Sequence, residues 1–160
     1  MFLDCSCVYT YPEHRTIRNV DRHFYNCGGY ALGQLGWYWP AHDDNERNDI
    51  CMMVENEEFT EVEATMIQCI VDEFPELAMI SATDVKQRKY SYRQYEIIAF
   101  RISHCQYNWD FHFRKLAANG QWYEKCGSNA YFNNFPYNSI FEVWNDRYDG
   151  QIYFFIRPRK

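Results

Sequence analysis

Trp109-Asp110-Phe111-His112-Phe113-Arg114 is the stretch on which the fold turns. Apolar and polar side chains alternate with a period of two. Trp109, Phe111 and Phe113 therefore point to one side of a strand, and Asp110, His112 and Arg114 to the other. Such a strand, with an aromatic face and a polar face, holds the imidazole of His112 rigidly on a defined side.

Downstream, Ala118-Asn119-Gly120 is a turn. A three-residue hairpin loop with Gly at the left-handed position pairs Ala117 with Gln121, Arg114 with Glu124 and His112 with Cys126. Glu124 then shares the face of His112 as its diagonal neighbour. A two-residue Asn-Gly turn would slip the register by one and send Glu124 to the opposite face. Asp110, two residues before His112, would then be the acidic neighbour.

Upstream, the apolar run Tyr95 to Ile102 predicts a strand buried on both faces at its middle. Shorter strands are predicted over 77–82, 121–126, 139–144 and 151–156. Lys86 to Arg93 reads as a polar connection, and residues 127–137 as an Asn-rich loop. Cys5 to Tyr9 is a candidate edge strand. In the first half helical spacing prevails. Val62, Met66, Cys69, Ile70 and Phe74 mark a helix over 60–74, with Thr60 and Glu63 as a capping box and Pro75 as its end. Cys69 is expected to be an inert core thiol. Between the helices, Trp37-Tyr38-Trp39-Pro40 leads into a polar loop carrying Asp43, Asp44 and Glu46, either solvated or rimming a cleft that favours basic groups. Helices first and a mainly antiparallel sheet second make an α+β arrangement, with residues 1–160 forming one domain.

The composition bounds the function. Of 160 residues, 19% are aromatic and 47% hydrophobic, enough for a real core. The net charge of −6 supplies no basic field for a nucleic-acid backbone. No window reaches membrane-spanning length, and no signal peptide is visible at Met1 to Cys7. Seven scattered cysteines suit a reducing compartment better than a disulfide framework, so a cytoplasmic protein is expected, or one delivered or exported without a visible signal peptide.

The candidate nucleophile is in Tyr25-Asn26-Cys27-Gly28-Gly29-Tyr30-Ala31-Leu32. Asn26 is a strong N-cap, which puts Cys27 first in a helix over 27–36 that Gly36 would stop. Unpaired amides and the positive dipole end favour a thiolate there. The glycine pair allows close backbone approach, as to a substrate carbonyl. His14, Arg15, Arg18, Arg22 and His23 form a modest basic cluster just before it.

A capped cysteine opening a helix, then a histidine on a strand, then a polar residue on the next strand, resembles the papain-like cysteine peptidases, in the compact form of the NlpC-type cell-wall endopeptidases. The resemblance rests on residues 26–32, 110–113 and 120–125. It implies Cys27 as nucleophile, His112 as base and Glu124 as orienting residue, with Asp110 as the alternative third member. Asn26 and the amides of Cys27 and Gly28 would stabilise the oxyanion. The activity implied is acyl transfer on a peptide or protein substrate, as peptidase, amidase, deamidase or transpeptidase, without metal or cofactor. The third residue is more often Asn, Asp or His in such enzymes, and Asp21 stands where papain-type enzymes have a Gln.

Two other classes compete. An aromatic-rich acidic domain suits a non-catalytic binding or inhibitor protein, with Phe132, Phe135 and Tyr137 on its exposed loop. Cys5, Cys7, His23 and Cys27 offer a zinc set, though the Cys-x-Cys step is tighter than the common knuckle. His14, His23, His42 and His104 lack surroundings comparable to those of His112.

Overall fold

The computed structural model describes residues 26–34, 36–125 and 132–160. The expected edge strand at 5–9, the basic cluster at 14–23 and the zinc candidates Cys5, Cys7 and His23 lie outside the described residues.

Among the described residues the architecture is mixed, with four α-helices and a six-stranded antiparallel sheet. The helices are α1 (Cys27–Leu32), α2 (Asp44–Glu55), α3 (Phe59–Glu73) and α4 (Ala82–Lys86). The strands are β1 (Ala78–Ile80), β2 (Tyr95–Ile102), β3 (Phe111–Leu116), β4 (Trp122–Lys125), β5 (Phe132–Phe135) and β6 (Tyr153–Pro158). Their order is β1-β6-β2-β3-β4-β5, so the last strand inserts between the first two. No helix among the described residues is long and apolar enough to cross a membrane.

Both faces of the sheet are covered. On one, Ile98, Phe100, Ile102, Phe111, Phe113 and Phe155 pack under α1, α2 and α3. On the other, Ile97, Ala99, Leu116, Trp122, Phe154 and Ile156 pack against Val85 of α4 and against Tyr137 and Ile140 of a 3₁₀ helix (Tyr137–Phe141). The alternation of β2 and β3 feeds both layers, which is why the middle of β2 is buried on either side.

Local chemistry accounts for the boundaries. α1 stops at Gly33, which takes the left-handed C-cap at φ 72°, and so ends before Gly36. The expected acidic loop is instead α2: the Asp43 side chain accepts from the Glu46 amide, and Asp44 and Glu46 favour the first turn. The capping box at Thr60 does not form. α3 begins one residue earlier, behind Glu58, and Glu63 turns inward to His104 Nε2 (2.6 Å) and the Tyr153 hydroxyl (2.5 Å). Residues 139–144 are not a strand, because the amide of Ser139 bonds back to Pro136 and starts the 3₁₀ helix. The Asn-rich stretch contributes β5, paired to β4 from Trp122↔Phe135 to Lys125↔Phe132.

Placement rather than hydrophobicity decides which apolar side chains matter. Phe113 is fully buried, its ring 4.8 Å from that of Phe100, whereas Met52 on α2 is 61% exposed. Phe113→Ala is expected to lower stability by about 3–5 kcal/mol, and Met52→Ala by no more than about 0.5 kcal/mol. Urea midpoints of the two variants check this.

Candidate functional site

Asn26 caps α1 as its sequence context indicates, its Oδ1 accepting from the Gly29 amide at 3.0 Å. The same oxygen accepts from the Tyr38 amide at 3.0 Å, and Nδ2 donates to the Tyr38 carbonyl at 2.8 Å. Asn26 therefore clasps the segment around Tyr38 to α1. Its amide is directed at that backbone, so the oxyanion role expected for it is corrected. Gly28 is close to something, but to the protein's own rings. A Cβ there would stand 3.1 Å from Tyr38 Cδ1 and 3.3 Å from Phe113 Cε2.

Cys27 is buried in the apolar cluster that contains Ala31, Phe111 and Phe113. His112 lies on the same strand as Phe113 and points to the other face. Its Nε2 is 2.6 Å from Glu124 Oε2, its ring stacks on Tyr148 at 5.3 Å, and it is 1% exposed. The pairing of Cys27 with His112 is thus corrected. Strand alternation puts thiol and imidazole on opposite sides of β3, with the sheet between them.

The hairpin has the register expected of the three-residue loop. Leu116 faces Trp122 and Lys115 faces Tyr123, with Gly120 at φ 81°. Glu124 therefore shares the face of His112. It also accepts from Arg114 Nε at 2.7 Å. The Arg114 guanidinium lies between the rings of Trp144 (4.1 Å) and Phe135 (4.3 Å) and donates through Nη1 to the Val143 carbonyl. Asp110 is on that face but serves other partners, accepting from the Tyr148 hydroxyl at 2.6 Å and Arg147 Nη1 at 3.3 Å. The result is a buried ionic and aromatic network. Burial alone raises the Glu124 carboxyl, but the neighbouring charges and hydrogen bonds of His112 and Arg114 outweigh it and hold that carboxyl below its ordinary range.

An open concave surface lies elsewhere. A cleft of about 300 Å³ is lined by Trp37, Trp39, His42, Asp43, Arg47 and Glu73, among others. Trp37 is 41% exposed. The Arg47 guanidinium sits 4.9 Å over the ring of Trp39. At its edge His42 is bonded to Glu46 (Nδ1, 2.9 Å) and Asp72 (Nε2, 3.0 Å), and those bonds, Glu46 first, raise its pKa. Buried Cys69 approaches the Tyr38 hydroxyl at 3.8 Å and Glu73 Oε1 at 3.4 Å. Burial is the main cause that pushes its thiol up to about 12. Sequence reasoning passed over this corner. The signals were present, since Cys69–Glu73 is an i, i+4 pair on one face of α3, and His42–Glu46 has the same spacing across the N-cap of α2.

No protein-family model, curated protein or solved structure matches the chain.

Removing the charge of Glu124 leaves Arg114 buried without its carboxylate. Glu124→Gln is expected to cost about 3–5 kcal/mol. Because the folded-state pKa is depressed, the carboxylate contributes its full stabilisation above the unfolded value, about 4.3, and loses it as pH falls through the folded value. Wild-type stability should drop on acidification below that point, and the variant's profile should be flatter there. Denaturant titrations across the acid range check both.

Proposed function

We propose that the chain is a non-catalytic binding domain for a protein partner, and that the cleft at Trp37 and Trp39 takes a basic segment of that partner. The observation that carries this is the cleft itself: exposed and half-buried indole faces with Asp43, Asp44 and Glu73 around them. Aromatic rings supply most of the energy at interface centres, and carboxylates beside them select cations. Arg47 over Trp39 illustrates the chemistry inside the molecule, a guanidinium on an indole face. The net charge of −6 would steer a basic partner toward the domain.

What weighs against a papain-like hydrolase is the strand between Cys27 and His112. An imidazole activates a thiol only within hydrogen-bond reach, and the partners of His112 on its own face include Glu124, Tyr148 and Trp144. On that face Arg114 and Glu124 form a buried ion pair.

The cleft is tested with an Arg/Lys-rich synthetic peptide and its Glu-substituted counterpart, followed by tryptophan fluorescence and calorimetry. Saturable binding of the basic peptide is expected, weakening as salt is raised. Trp37→Ala should reduce it by roughly tenfold or more, as for a hot-spot aromatic. Equal binding of the acidic peptide, or affinity unchanged in Trp37→Ala, would sink the proposal.

A further inference from the structure

The entry into α2 and one face of α3 meet at the edge of the cleft and assemble a mixed donor set. His42 and Glu46 span the start of α2, and Cys69, Asp72 and Glu73 lie within one turn of α3. One donor atom from each of His42, Glu46 and Cys69 falls within 4.8 Å of the others. We propose that His42, Glu46 and Cys69 bind a divalent transition-metal ion of the zinc class, with Asp72 positioning the imidazole.

The donor chemistry selects the ion. Imidazole, carboxylate and thiolate together suit Zn²⁺ or Co²⁺, whereas Ca²⁺ and Mg²⁺ take oxygen ligands. Ligand atoms around a tetrahedral centre with bonds of about 2.0–2.3 Å stand roughly 3.3–3.7 Å apart. His42 Nδ1 and Glu46 Oε1 are 2.9 Å apart, and the Cys69 sulfur lies within 4.8 Å of the donor atoms of both residues. The outer shell is in place as well. Asp72 Oδ2 holds His42 Nε2 at 3.0 Å, which leaves Nδ1 facing Glu46 and the ion. A carboxylate behind a ligating histidine fixes its ring orientation and raises its basicity. Glu73 Oε1, 3.4 Å from the sulfur, is the nearest further oxygen for the fourth position, which water fills otherwise.

Coordination is a proton exchange without electron transfer. The Cys69 S–H and the Nδ1–H of a protonated His42 give up their protons to solvent, and the freed lone pairs bond the ion. The competing account is an imidazolium bridging two carboxylates, an exposed ion-pair network that takes up no metal.

The test uses the full chain, stripped with a chelator and titrated with Co²⁺ and then Zn²⁺. Equimolar Co²⁺ should give the intense visible absorption of a tetrahedral site and a thiolate-to-cobalt charge-transfer band, both erased by Zn²⁺. Cys69→Ser should abolish the charge-transfer band. Glu46→Gln, at a partly exposed position, should weaken binding without disturbing the core. Asp72→Asn should weaken it by about tenfold or more. Cys51→Ser, at an exposed cysteine on the same helix as Glu46, should leave it unchanged. Circular dichroism of each variant verifies folding. Absence of cobalt uptake overturns the proposal. So does a spectrum that survives Cys69→Ser and Glu46→Gln, because the ion then sits on other residues. No peptide is present in the titration, so its failure leaves the basic-segment proposal intact.

Discussion

The alternation of side chains along β3 is the constraint on which the rest depends. Phe111 and Phe113 face α1–α3, while His112 and Arg114 face the 3₁₀ helix and the segment after it. Both layers are closed, so neither set can reach water. Apolar side chains meet that condition by packing. Charged ones meet it only by pairing, because an isolated buried charge costs far more than folding can supply. Glu124 is the group that makes Arg114 and His112 tolerable inside, and Tyr148 ties His112 to Asp110 by stacking on one and donating to the other. The geometry of a catalytic triad and that of a satisfied buried network share this motif of histidine beside carboxylate. They differ in whether a nucleophile and open space lie next to the ring.

The other half of the molecule answers a different demand. α2 is held to the core by Ile50 and Val54, and α3 by Val62, Met66 and Ile70. Their remaining faces meet beside the Trp37–Trp39 segment, which Asn26 ties to α1 through Tyr38. Polar and ionisable groups collect there because the two helices present their solvent sides to a common edge. Exposure and donor variety coincide at that corner, unlike the interior around His112.

Much of the fold was legible in the sequence. β2 has the bounds that its apolar run predicts, the buried face of α3 follows the helical spacing, and the hairpin register follows from one glycine at a left-handed position. Asn26 was legible as a cap for the same local reason. Less visible were outcomes decided by tertiary competition. Glu63 forsook its capping box for His104 and Tyr153, and residues 132–135 became a strand because β4 offered them an edge. Pairing Cys27 with His112 was a question of layers, and alternation gave only half of it. It showed that Phe113 and His112 diverge, but not that α1 would settle over Phe113. The His42–Cys69 corner was hidden because the segment from Asp43 reads as a solvated acidic run until its own cap turns it into a helix.

Native-state alkylation mapped cysteine by cysteine tests the separation of thiol and imidazole most directly. Iodoacetamide near neutral pH should modify exposed Cys51 and Cys105 readily and leave Cys27 unmodified until the protein is denatured. Rapid stoichiometric modification of Cys27 in the folded protein, abolished in His112→Ala, would contradict the account and return the thiol to the surface as a nucleophile.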